Sequence, residues 1–202
     1  MESKIEKIQS LWNESFGDCP PVSYLLKRKL QNRWFRIHSL PESKRYAEDE
    51  FETVELLKRQ NALLLDVIGN GSECFLISGN YSNSPLEENS KQCPALDGFH
   101  FQKFTRLLKT DFDSRDWVEP DDEPVYLSLF FTPYKIKRHD LDKVLLCVAD
   151  WKIVNFFIVS FEKQRIFAPY DGGVDVILKN SQERDEFKSK YQSWLSKRPD
   201  GF

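Results

Sequence analysis

The stretch Lys152-Ile-Val-Asn-Phe-Phe-Ile-Val-Ser-Phe-Glu-Lys-Gln-Arg-Ile-Phe-Ala-Pro-Tyr-Asp-Gly-Gly-Val-Asp-Val-Ile-Leu178 decides the fold. Residues 152–161 and 164–168 are apolar runs rich in β-branched and aromatic side chains, and they meet at Glu162-Lys163. A third run, 173–178, follows the pair Gly172-Gly173. Such runs separated by short polar turns read as successive antiparallel strands. A doubly wound parallel sheet would need a long helical crossover between them. The C-terminal half therefore predicts an antiparallel or mixed sheet.

The elements outward from this stretch are helices and further strands. Downstream, Ser181 is the expected cap of an amphipathic helix reaching residue 195, with Glu183 and Asp185 in its first turns. Upstream, Leu141, Val144, Leu145 and Val148 mark a short helix over 140–150, and 125–131 reads as a strand. Residues 111–124 are acidic and loop-like, 99–108 fit helix or strand, and 79–98 read as a long polar loop. Residues 73–78 predict a strand. A long helix is expected over 47–68, acidic in its first turns and ended by Gly69-Asn-Gly71. Residues 33–39 alternate as a strand that Leu40-Pro41 stops. Two helices open the chain: 3–16, ended by Gly17, and a shorter one carrying Val22, Leu25, Leu26 and Leu30 with Pro21 at its first turn. The expectation is one α+β domain over residues 1–202, with helices packed at the N-terminus, middle and C-terminus.

Composition narrows the function. Of 202 residues, 40% are hydrophobic and 14% aromatic, enough for a core that needs no staple or metal. Basic and acidic residues nearly balance, 29 against 32, which argues against a nucleic-acid partner. No run approaches the roughly 18 apolar residues that span a bilayer, and the first residues lack a signal-peptide core. A cytoplasmic protein with no membrane partner is expected. Cys19, Cys74, Cys93 and Cys147 form no C-x-x-C pair and are read as reduced thiols. The nucleophile elbow, the phosphate-binding glycine loops and a histidine metal pair are all missing. These gaps imply no catalytic residue of standard type, no metal and no cofactor.

Two segments carry residues unusual for scaffold. In the first, Arg36 and His38 point to one face of a strand, with Phe35 and Ile37 on the other. The loop that follows gathers Ser39, Glu42, Lys44, Arg45 and Tyr46. His38 titrates near neutrality, and Lys44 and Arg45 suit phosphate or carboxylate. The plain alternative is a surface loop whose charges pair with Glu48, Asp49 and Glu50. The second segment places Tyr170, Asp171 and Asp175 around Gly172-Gly173. Its carboxylates suit a cation or acid–base work, or else a side-chain turn and a bond to an arginine.

Arg33-Trp-Phe-Arg-Ile-His-Ser-Leu-Pro-Glu-Ser-Lys-Arg-Tyr-Ala47, with Cys19-Pro-Pro-Val22, Pro169-Tyr-Asp-Gly-Gly-Val-Asp-Val-Ile-Leu178 and the closing Trp-Leu-Ser-x-Arg-Pro-Asp-Gly, resembles a family of bacterial proteins of unknown function. The resemblance implies no activity or cofactor. Small acidic proteins of this kind suggest, by analogy, toxin-neutralising immunity proteins. The leading expectation is therefore a non-enzymatic module that binds a protein partner. The alternative is an enzyme for a phosphate-containing or nucleotide-like substrate, using His38, Arg36, Lys44, Arg45 and Asp171 or Asp175.

Overall fold

The computed structural model describes residues 3–84, 93–112 and 123–196. The strands are β1 (Trp34–His38), β2 (Glu73–Ser82), β3 (Gln102–Leu108), β4 (Tyr126–Lys135), β5 (Asn155–Ser160), β6 (Arg165–Tyr170) and β7 (Gly173–Ile177). They form one sheet ordered β1-β7-β6-β5-β2-β4-β3, with every neighbouring pair antiparallel. The helices are α1 (Lys4–Phe16), α2 (Ser23–Lys29), α3 (Glu50–Val67), α4 (Lys109–Phe112), α5 (Asp142–Ala149) and α6 (Ser181–Lys190). This is an α+β fold. Among the described residues, no helix is long and apolar enough to cross a membrane.

Helices cover both faces of the sheet, so its central strands are buried on both sides. Phe35, Ile37, Val174 and Val176 alternate onto the face packed with α3, α5 and α6. Trp34, Ile177, Ala168 and Phe157 occupy the opposite face, beneath α1 and α2. Phe156 and Phe157 are fully buried on opposite faces, and each such side chain contributes about 1.5–3 kcal/mol. Arg33 ties the layers together by donating to the carbonyls of Ser15, Gln164 and Leu178 at 2.5–2.8 Å. One guanidinium thus holds the end of α1, the β5–β6 turn and the exit from β7.

Several expected boundaries move, each for a local reason. The polar loop expected from residue 79 begins later, because β2 runs through Ser82 between β4 and β5. Gly79 lies where a Cβ would stand 2.7 Å from Asn155 Nδ2 and 2.9 Å from Leu127 and Leu129. Its smallness serves close packing inside a strand, not a turn. Residues 85–92 of that loop lie outside the described residues, as do 113–122 of the acidic stretch. The acidic stretch is not all loop, since α4 takes Lys109–Phe112. β4 continues through Pro133, which pairs only toward β2 because β3 ends opposite Phe131. The ambiguous 99–108 segment is strand β3. Asn180, not Ser181, caps α6 by accepting from the Glu183 amide at 2.9 Å, and the helix ends at Lys190. Likewise Asp49 caps α3 and Val22 precedes α2, so Pro21 lies outside it.

Candidate functional site

The two segments singled out in the sequence meet. β1 and β7 pair so that Arg36 stands directly opposite Asp175. Arg36 grips Asp175 with two nitrogens, Nε to Oδ1 and Nη2 to Oδ2, each at 2.8 Å. Trp34 donates its indole N–H to the same Oδ1 at 2.7 Å. The Arg36 guanidinium also lies 4.3 Å from the centre of the Tyr170 ring. Burial alone would depress Arg36, but hydrogen bonds and charge from Asp175 raise it above the ordinary arginine value. Burial pushes the Tyr170 hydroxyl well above its usual range. Ala168 is the residue opposite Asp175 on β6, and its small side chain leaves space on this face.

Four residues earlier, Asp171 sits on the β6–β7 turn with a similar set of partners. Arg45 pairs with it through Nε. Tyr46 donates its hydroxyl and Trp151 its indole N–H to Asp171 Oδ2, both at 3.1 Å. The Arg45 guanidinium lies 5.8 Å from the Tyr46 ring and 5.9 Å from the Trp151 ring. Asp171 is buried, whereas the side chain of Arg45 is 57% exposed. Trp151 takes the left-handed backbone region at φ 61°, immediately after the C-terminal cap of α5. That position favours glycine, and a bulky residue there is a backbone outlier of the kind that gathers at functional sites.

Gly173 makes the arrangement possible. It pairs with His38, and a Cβ there would stand 2.0 Å from the Ile37 carbonyl oxygen. The pair Gly172-Gly173 therefore serves a close approach of backbones.

Beside both aspartates is a cleft of about 630 Å³, within the usual range of small-molecule sites. Arg36, Arg45, Tyr170, Asp171 and Asp175 line it, joined by Tyr24 and Lys27 of α2, Tyr81 of β2, Lys109 of α4, and Trp151. Residues 22–199 match a family defined as a domain of unknown function, DUF3885. The chain belongs to that family. No curated protein and no solved structure matches it.

Every residue of the cleft lies within the DUF3885 match, while α1 precedes it. Of the sequence candidates, Arg36, Arg45, Tyr46, Tyr170, Asp171 and Asp175 converge. Tyr46 joins them through its bond to Asp171 without lining the cleft, and the others do not line it. Lys44 pairs with Glu48, just ahead of α3, and with Glu52 in its first turn. Ser39 is buried and its hydroxyl accepts from Gln60 Nε2 at 2.9 Å. Glu42 occupies the exposed turn Pro41–Ser43. His38 forms no hydrogen bond to either aspartate among the described residues, and its Nε2 is buried without a partner. Burial, then the neighbouring Arg36 charge, lowers its pKa against the opposing effect of the Gly172 carbonyl. The imidazole–carboxylate dyad considered for an enzyme is not formed.

Sequence reading missed Trp34, Trp151, Lys27 and Lys109. A tryptophan where a helix terminator belongs was the one readable signal. The lysines come from elements far apart in sequence. No three His, Cys, Asp or Glu side chains among the described residues group to hold a metal, and both site aspartates are engaged by arginine. All four cysteines are free thiols, and burial pushes Cys19 and Cys74 up to about 12.

Proposed function

We propose that this chain is a non-enzymatic binding domain that takes a small anionic ligand in the cleft beside Asp171 and Asp175. The observation that carries this reading is the convergence of residues 36–46 and 170–175 on a cleft lined by four basic and two acidic side chains. Each aspartate is bound to an arginine, and of the two arginines Arg45, with a side chain 57% exposed, is the one an anion from solvent can reach. Val148 and Ile153, both buried, add an apolar part to the lining, where charge recognition is stronger than in water. The test is a thermal-shift and calorimetric titration with carboxylate, sulfate and phosphate compounds. At least one should raise the Tm of the wild-type protein and leave Arg45→Ala unmoved. The reading fails when no anion acts, or when the variant responds like the wild type.

A protein partner is the second reading, favoured by Phe51 and Val54. They lie three residues apart on α3 with exposures of 88% and 59%, and clustered exposed apolar side chains mark interaction surfaces. Its setting is an immunity-type protein in a bacterial cytoplasm. Co-expression with the product of the neighbouring gene tests it. A complex should form at low salt and be lost in the double variant Phe51→Lys and Val54→Lys. No complex, or one that survives both changes, counts against this reading.

A further inference from the structure

Asp171 is buried with one of its carboxylate oxygens unused. Its side chain is 4% exposed, yet it lines the cleft. Oδ2 takes three donors: Arg45 Nε, the Tyr46 hydroxyl and the Trp151 indole N–H. Oδ1 accepts no hydrogen bond among the described residues. An ionised carboxylate has room for about four donors, and a buried acceptor without one is costly. The unused oxygen favours a ligand that brings a donor.

Arg45 is the complement. Only its Nε is engaged by Asp171, and Nη1 and Nη2 make no hydrogen bond among the described residues. Those two nitrogens form a planar fork that matches the two oxygens of a carboxylate. A carboxylate can take them without displacing Asp171. Arg36 is less accessible, since its side chain is 10% exposed and two of its nitrogens already hold Asp175.

The Arg45–Asp171 pair thus presents a donor fork beside an open acceptor, and charge decides what suits it. An anion alone on Arg45 would stand next to the Asp171 charge, and like charges repel most where water is scarce. A cation alone would satisfy Oδ1 and leave the fork unused. A zwitterion meets both, and it adds no net charge to a pair that has none. An α-amino acid is the compact form of that chemistry, with ammonium and carboxylate on one carbon. The lining bears on its side chain. Trp151 bonds Asp171, and its backbone N–H donates to the Val148 carbonyl at 3.1 Å. The Ile153 amide donates to the Cys147 carbonyl at 3.2 Å, so Val148, Trp151 and Ile153 share the end of α5. All three line the cleft, and burying apolar ligand surface against them is favourable.

We propose, resting on the reading of the cleft as a site for a small anionic ligand, that it binds a free α-amino acid with an apolar side chain. The carboxylate takes Nη1 and Nη2 of Arg45, and the ammonium donates to Asp171 Oδ1. The side chain lies against Val148, Trp151 and Ile153.

The test is calorimetric titration of the full chain with L-leucine, L-leucinamide, N-acetyl-L-leucine and glycine. The amide lacks the carboxylate, the acetyl compound lacks the ammonium, and glycine lacks the side chain. L-Leucine should bind at least about tenfold tighter than each of the three. Arg45→Ala should weaken L-leucine by about tenfold to a hundredfold and leave the amide unchanged. Asp171→Asn, of nearly the same size, should weaken L-leucine as much and leave the acetyl compound unchanged. The ligand series on the wild-type protein decides the matter even where a variant fails to fold. Equal, Arg45-dependent affinity for L-leucine and its acetyl compound overturns the amino acid and spares the anion reading. Equal affinity for L-leucine and its amide overturns both. Glycine as tight as L-leucine overturns the side-chain assignment. Arg45-dependent binding of acetate or sulfate without L-leucine sinks the amino acid and spares the cleft. The cleft reading itself falls when no anion depends on Arg45.

Discussion

Asp175 and Asp171 stand four residues apart on one hairpin and carry nearly the same partners: an arginine, a tryptophan indole N–H and a tyrosine ring. They differ in what covers them. The Asp175 set is built on paired strands, and its arginine and aspartate side chains are only 10% and 7% exposed. The Asp171 set is built on a turn, a loop and a helix end, and its arginine is mostly in solvent. Similar partners therefore have two consequences. Where water is excluded, the ion pair becomes part of the fold, because neither charge can lose its partner cheaply. Where water reaches one member, the pair contributes little to stability and its cation can change partners. The closed set fixes the register of β1 on β7, and the open set is where a ligand can compete.

The largest expected effect comes from breaking the closed set. Asp175→Ala should lower unfolding free energy by about 3–5 kcal/mol, since it leaves Arg36 buried without its counterion. Urea denaturation measures this. Replacing both members together, Arg36→Leu with Asp175→Leu, should restore most of the loss, leaving mainly the unsatisfied Trp34 indole at about 1–3 kcal/mol. A double variant as unstable as the single one would show that the pair is not the source. The next effect down acts on the join between the sets. Gly173→Ala drives a methyl group into the Ile37 carbonyl, and the forced shift of β1 should cost about 1–3 kcal/mol. A wild-type midpoint would mean that β1 can retreat without loss.

The contrast between the sets also explains what was legible beforehand. The antiparallel C-terminal sheet could be read because its strands are close in sequence and their turns are short. The pairing of β1 with β7 could not, because nothing in residues 34–38 states that their partners lie about 140 positions away. Arg36 and Asp175 stood out individually as charges in apolar strands, and their contact emerged only from the register. Arg45 was read as one of several loop cations, whereas Lys44 turned to its helix and Arg45 crossed to Asp171. Local charge spacing predicts the first outcome and is silent on the second. Gly79 misled the strand boundary because packing, not turning, placed it there.

On the open set the effects shrink and change sign. Trp151→Gly should relieve a left-handed backbone strain of about 1–2 kcal/mol, offset by the lost hydrogen bond to Asp171. Thermal denaturation should show a midpoint near or above that of the wild type, unusual for removal of a tryptophan. A fall as large as that for Asp175→Ala would make Trp151 structural and erase the contrast. Arg45→Ala should cost under about 1 kcal/mol, because the exposed half of its ion pair is screened. Equal losses for Arg45→Ala and Arg36→Ala would refute the division into closed and open sets.

The smallest effect is a matter of pH and belongs to His38, which pairs with Gly173 at the end of β1. Its ring is held below the ordinary value of 6.5 by burial and by Arg36. A base with a depressed folded pKa takes up its proton more readily when unfolded. Its contribution is therefore intact above 6.5 and is lost as the pH falls from there toward its folded value. Carboxylates lowered by their partners, such as Asp66 and Glu183, begin to lose stability only below their ordinary values of 3.8 and 4.5. A stability loss between pH 6.5 and 5 therefore isolates the histidine, and His38→Asn should flatten it. Because His38 adjoins Arg36 rather than Arg45, the loss should track the closed set, leaving anion affinity unchanged over the same interval. A parallel loss of anion binding would place His38 in the open set and move the boundary between the two.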